Sequence, residues 1–342
     1  MKRFFFLLVY FVPIQLFAGN FLSTHYTVDV TNFDEDSFFV KLDVKNFDRD
    51  TAVYQFAVTA PGTYSILDVG RFVGSFRAFD AKRNPLPIVR TDINQFTIYR
   101  ARSLSRITYR VDDTFDSPIQ ENPVEPMSGS NIERDNALIN GQMVFGYFHG
   151  HQSDPITVKF IYPKKWIVGT ALKKKDGVYR AVSFDELVDS PFMFGALDRQ
   201  TINMGRSTIH VYTYSQNQKY NAEFVSARLQ SVLKAADQFL DGLPVDRYVF
   251  LFHFRENTGP VFGAWEHNYS SFYVIPEWGE SYISGVVTSM AAHEFFHIVI
   301  PLNIHSELIV PFHFDKAVPS QHLWLYEGVT EWASDLMQVR YG

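Results

Sequence analysis

The sequence predicts an α+β chain of two domains, an N-terminal antiparallel β-sandwich-like domain followed by a domain of mixed strands and helices. Three observations carry this. From Thr24 to about Val111 apolar and polar residues alternate in short runs, THYTVDVTN, FFVKLDVKNF, TAVYQFAVTAP, QFTIYRA and RITYRVDD. Turn formers divide these runs, among them Pro61 with Gly62 and Asn84 with Pro85. After Gly205 the period lengthens from that of a strand to that of a helix.

The elements follow in order. Residues 1–19 set two basic residues before an apolar run ending at the small residues Ala18 and Gly19, the layout of a secretory signal peptide. The run is short for a membrane span, and a retained N-terminal anchor is the alternative. The mature protein is therefore expected to be exported, to a periplasm or cell envelope or as a secreted protein, without stable membrane insertion. Residues 20–200 form the β domain, in which ITVKFIYP and GVYRAVSF extend the strand pattern to about residue 185.

Residues 201–342 form the second domain. IHVYTY reads as a strand, and NAEFVSARLQSVLKAADQFLDGLP puts Phe224, Val225, Leu229, Val232, Leu233, Ala236, Phe239 and Leu240 on one helical stripe, stopped by Gly242 and Pro244. RYVFLFHF, VFGAWEH and SSFYVIP read as strands. A second helix runs from roughly Ser284 to Val299 and is closed by Pro301; a third begins near Leu323 and continues to Tyr341 and Gly342.

Composition narrows the function. The 342 residues are 46% apolar, enough to bury a core in each domain. Net charge is -6 and the basic residues are scattered, so no nucleic-acid partner is expected; the run KKK at 173–175 reads as a solvated turn. The chain has no cysteine. That excludes disulfides, thiolate metal sites, a cysteine nucleophile and a lipoprotein anchor, and leaves His, Asp and Glu as metal ligands.

One stretch combines those residue types, HEFFHIVIPLNIHSE at 293–307. On a helix, residues four apart share a face, so His293 and His297 can both reach one ion. Glu294 is rotated away from them, beside rather than on the metal, where a general base belongs. Two satisfied surface histidines are the plainer reading of the same spacing. A catalytic zinc wants a third protein ligand and an open position. WLYEGVTEW at 324–332 offers Glu327 as that ligand, and Glu331, one turn on, as acceptor for the outer N–H of a ligand histidine. GAWEH at 263–267 reads as part of an edge strand whose backbone, at Gly263 and Ala264, can pair with an extended peptide. Glu266 is then placed to hold a free amino terminus. Trp265 and His267 read as packing residues.

HEFFH, WLYEGVTEW and GAWEH together resemble the glycyl aminopeptidase family of zinc metallopeptidases. The likeness extends to APGTYSILDVGRFV at 60–73, MVFGYFHG at 143–150 and FDELVDSPFMFG at 184–195, and so covers most of the chain. The resemblance implies a thermolysin-like catalytic domain over 201–342, Zn2+ held by His293, His297 and Glu327, and Glu294 as base and proton shuttle. It also implies a peptide substrate cleaved at its first bond, with Glu266 in a variant of the family's GGLEH segment. The family usually adds a C-terminal PDZ domain, and its second catalytic lobe follows the third ligand. This sequence stops within the first helix of that lobe, so the catalytic domain is expected to be incomplete. The family's oxyanion-stabilising Tyr or His belongs to that later region, and Tyr269, Tyr273 and Tyr326 are the substitutes within reach. IVIPLNIHSE replaces the family's WNVKR-like continuation, which makes His305, His313 and His322 loop residues. Two rival readings stay open: a non-catalytic envelope scaffold that binds peptides, and an endopeptidase. Nothing in the sequence bears on oligomeric state or residue preference.

Overall fold

The computed structural model describes residues 21–119, 121–257 and 261–341; the signal-peptide reading of residues 1–19 lies outside the described residues. The N-terminal part is β-rich. A seven-stranded sheet takes the order Lys174–Lys175, Val178–Ala181, Ile156–Ile161, Ser23–Asp29, Ser37–Lys45, Leu104–Asp112, Val73–Asp80. A four-stranded sheet, Tyr147–Phe148, Thr51–Gln55, Gln95–Tyr99 and Ile88–Asp92, shares its core. Alternation drives this packing, since the inward residues Tyr26, Val40, Leu42, Ile107 and Tyr109 of one sheet meet Tyr54, Phe96 and Ile98 of the other. Phe76 stacks on Phe96 across the interface with ring centres 4.1 Å apart. Buried phenols need partners, and two in this core find backbone carbonyls: Tyr26 donates to Gly146 O at 2.6 Å and Tyr109 to Val144 O at 2.9 Å. A further four-stranded sheet joins Ile167–Gly169, Phe192–Gly195, Asn136–Ile139 and Asn131–Ile132.

One pairing departs from the antiparallel expectation. Ser23–Asp29 pairs in parallel with Ile156–Ile161, Tyr26 opposite Val158. Alternation fixes the face a side chain takes but not the neighbour its backbone takes, and a strand that returns after a long crossover is free to pair in parallel.

The second part is built on a five-stranded mixed sheet in the order Asp198–Met204, Ser207–Ser215, Arg247–Arg255, Ser270–Pro276, Gly263–Glu266. The two inner pairings are parallel and the two outer ones antiparallel. Gly263–Glu266 is one of the two outer strands, and the one that follows Arg247–Arg255 in the chain. A first long helix, Ala222–Phe239, is capped by Asn221, whose Oδ1 accepts from Phe224 N at 2.8 Å. It buries Val225, Leu229, Val232, Leu233 and Ala236.

The helix that bears HEFFH runs Glu280–Phe296 and is called here the histidine helix. It starts and ends a few residues earlier than the pattern predicts, with Gly279 before its first turn and His297 as its C-terminal cap. The residue before a proline disfavours helical backbone, so the chain has to leave the helix ahead of Ile300 and Pro301. It does so in turns, with Val299 N on Phe296 O at 2.9 Å and Ile304 N on Val299 O at 3.0 Å. Ile283, Val287, Ala291 and Phe295, each four apart, form its buried stripe. Truncating the fully buried Phe295 to alanine should cost about 3–5 kcal/mol. The last helix, Leu323–Tyr341, packs on both other helices and is called here the glutamate helix. Among the described residues no helix is long and apolar enough to cross a membrane.

Candidate metal centre

The histidine and glutamate helices each contribute a pair of residues four apart, and the two pairs face one another. His293 and His297 turn their Nε2 atoms together at 3.1 Å, with the rings near perpendicular at 85°. Glu327 Oε2 lies 3.2 Å from His293 Nε2 and 3.7 Å from His297 Nε2. In a four-coordinate zinc site with bonds of 2.0–2.1 Å, donors are roughly 3.4 Å apart, and these three separations straddle that value.

The chemistry of the donors is as telling as the spacing. His293 Nδ1–H donates to Glu331 Oε2 at 2.7 Å, and His297 Nδ1–H donates to Ile300 O at 2.9 Å. Thr330, fully buried between the two glutamates, also donates to Ile300 O at 3.2 Å and fixes that carbonyl. With the outer nitrogen of each ring carrying a hydrogen, both inner nitrogens present lone pairs to each other and to a carboxylate oxygen. Three converging acceptors call for a cation, and the residues fit a divalent metal ion. A proton can take that place in the metal-free chain. Burial lowers the His293 pKa, but the Glu327 hydrogen bond, Glu294 and Glu331 outweigh it and hold the imidazolium up to about 9. For Glu327 burial raises the pKa, and the hydrogen bonds from His293 and Tyr64 outweigh it, holding the carboxyl down at about 2.

Beside this group stands a second one. Glu294 is buried, and its carboxylate, that of Glu266 and the His297 ring present donor atoms all within 4.8 Å of one another. Burial, and then the Glu266 charge, push the Glu294 carboxyl well above its usual range, against the pull of His293. A carboxyl so placed takes up a proton readily. Glu266 ends the outer strand Gly263–Glu266, where Ala264 is opposite Tyr273 and, among the described residues, the other backbone edge pairs with no strand. Gly263 is itself closely packed, since a Cβ there would come 2.6 Å from Met127 Cε.

The remaining sequence candidates lie elsewhere. Tyr273 is buried and donates to Ser271 Oγ at 2.8 Å; the Tyr326 hydroxyl accepts from Ser306 N at 3.1 Å; Tyr269 is exposed. His305 pairs with Pro301 O at 3.1 Å, and His313 lies 3.9 Å from Asp315. His267 is buried, 3.5 Å from Asp189. Sequence reasoning missed Tyr64, a residue of the β domain whose hydroxyl donates to Glu327 Oε1 at 2.6 Å. It sits inside APGTYSILDVGRFV, a stretch that carries no chemical signal of its own and acquires one only through a contact 263 residues away in sequence.

Comparison with known proteins agrees with this architecture. Residues 25–196 match the Peptidase M61 N-terminal domain and residues 286–342 match the M61 glycyl aminopeptidase domain. No curated protein matches the chain. Among solved structures it is similar to the crystal structure of an aminopeptidase N family protein from Idiomarina loihiensis, at 19% identity and a TM-score of 0.79. That match covers 93% of this chain and 55% of the other, so the chain spans little more than half the length of that protein, and the likeness concerns the fold. Because the N-terminal family model alone spans half of the sequence, the chain belongs to the M61 glycyl aminopeptidase family.

Proposed function

We propose that this chain carries the centre of a zinc-dependent metallopeptidase that acts as an aminopeptidase, hydrolysing the first peptide bond of its substrate. The observation that carries the reading is the convergence of His293 Nε2, His297 Nε2 and Glu327 Oε2 with their outer hydrogen bonds already taken. His293, His297 and Glu327 hold the zinc, and Glu331 and Ile300 O orient the two rings. Zinc held there supplies a water of pKa near 7 and a Lewis acid for the scissile carbonyl.

The chain's own residues supply the rest. Glu294 accepts the proton of the attacking water and passes it to the nitrogen of the departing amine, a task that suits a buried carboxyl with raised proton affinity. The free edge of Gly263–Glu266 pairs with the substrate backbone, and Glu266 receives the substrate's ammonium close to Glu294. An ammonium fixed one residue from the reacting bond limits cleavage to the amino end. Export to the periplasm or cell envelope, proposed from residues 1–19, places peptides rather than folded cytoplasmic proteins within reach.

The test is hydrolysis of short peptides by the purified chain, with and without a chelator, using free and acetylated amino termini. The proposal expects chelator-sensitive release of single residues from free peptides alone. Equal cleavage of acetylated peptides would favour an endopeptidase, and cleavage untouched by chelation would remove the metal from the mechanism.

A further inference from the structure

The β domain reaches the metal centre through one side chain. Tyr64 donates to Glu327 Oε1 at 2.6 Å, while the other oxygen, Oε2, faces the two imidazoles. The carboxylate is thereby sorted, one oxygen to the phenol and one to the nitrogens. Tyr64 has φ of 52°, in the left-handed region that bulky residues avoid, and most of its surface is exposed, so neither backbone preference nor burial explains its position.

The loop that presents it is clamped at several points. Trp265 Nε1–H donates to Pro61 O at 2.9 Å, which ties the loop to the strand that bears Glu266. Gly62 lies so close to that strand that a Cβ would come 2.5 Å from Trp265 Nε1 and 3.0 Å from Glu266 Oε1. Its φ of 75° adds a second reason for glycine there. Val58 N donates to Phe314 O at 2.7 Å, which ties the loop to the segment between the second histidine and Glu327. Thr59 Oγ1 closes the loop on Ser65 O at 2.8 Å. The Trp265 and Phe314 contacts hold the loop, and Tyr64 with it, against the half of the molecule that bears the ligands.

We infer that Tyr64 is a positioning residue of the metal centre, holding the outer oxygen of Glu327 so that Oε2 faces His293 and His297, and that the β domain is therefore part of the site. This rests on the metal reading above. An unheld carboxylate can rotate either oxygen, or neither, toward the imidazoles, and a ligand that must be ordered on binding binds more weakly.

The experiment uses the full chain and Tyr64→Phe, which keeps the exposed ring and removes only the hydroxyl. Zn2+ affinity is measured by competition with a chelating dye, the visible spectrum is recorded with Co2+, and the melting of each metal-free chain is followed. The expected result is a fall in Zn2+ affinity of roughly 10–100-fold, as for other groups that orient a ligand, with a changed Co2+ spectrum and coincident melting of the metal-free chains. Wild-type affinity and spectrum in Tyr64→Phe, beside a parent chain that binds metal, overturn the inference alone. An affinity loss matched by an equal loss of metal-free stability overturns it too, because the role is then structural. A parent chain without affinity for Zn2+ removes the metal reading, and this inference with it.

Discussion

Two of the three clusters that bring three ligand-type side chains within 4.8 Å among the described residues differ in which of their atoms are already engaged. In His293, His297 and Glu327 the outer atoms are bound, by Glu331, Ile300 O and Tyr64, and the inner atoms face one another. In Asp36, Asp113 and Asp116, at one end of the β domain, the order is reversed. Asp113 is buried with each oxygen taken, Oδ1 by Phe115 N and Oδ2 by Ile132 N, both at 2.6 Å. Burial holds the Asp113 carboxyl up at about 8, and burial together with the Asp116 charge holds Asp36 up at about 6. An oxygen-only site for a hard cation needs six or more ligands, which a triad with one member so engaged does not supply. Proximity of acids and imidazoles is therefore a weak criterion for a metal centre. The stronger one is that outer hydrogen bonds leave the inner lone pairs no partner but a cation.

That contrast can be broken in several ways, the largest effect first. Glu294→Gln keeps the volume and the three ligands but cannot take a proton; it should hold zinc at the parent level while turnover falls roughly 10²–10⁴-fold, read from metal content and steady-state kinetics on one preparation. Activity near that of the parent would remove Glu294 as the base. Glu331→Ala frees the outer nitrogen of His293 and should weaken Zn2+ binding roughly 10–100-fold, whereas Asp116→Ala at the other cluster should leave it unchanged. Equal losses in the two variants would erase the distinction between the clusters. Glu266→Gln should cost free-amine peptides about 1.4 kcal/mol, tenfold in kcat/KM, for one partly exposed ammonium contact. If acetylated peptides suffer equally, Glu266 is not the amine receptor.

The smallest effect is on the stability of the metal-free chain. His293, with its ordinary value of 6.5 raised to about 9, stabilises the fold fully below pH 6.5 and loses that contribution as pH rises through about 9. Glu327, lowered from 4.5 to about 2, contributes above pH 4.5 and loses it as pH falls through about 2. The pair together is worth most between pH 4.5 and 6.5. Without metal the melting temperature of the chain, relative to His293→Gln, should therefore decline from pH 6.5 to 9. A constant difference across that range would show that His293 does not hold its proton in this way.

How much of this was legible in the sequence follows from the range of each interaction. The four-residue spacing of His293 and His297, and of Glu327 and Glu331, is a local property of a helix and can be read directly. The strand alternation that builds the sandwich is equally local, so the β-rich class was visible while the parallel partner of Ser23–Asp29 was not. The end of the histidine helix was misjudged because Pro301 marks where a helix cannot continue, and the turns before it begin as early as His297. Tyr64 was out of reach for a different reason. Its role depends on how the β domain docks on the strand Gly263–Glu266, and neither segment's pattern encodes that contact.

Elemental analysis of the purified chain beside His297→Ala shows whether His293, His297 and Glu327 hold one divalent cation. The parent chain is expected to carry about one zinc and the variant only background metal. Equal metal in both, whether at background or at full occupancy, would contradict it.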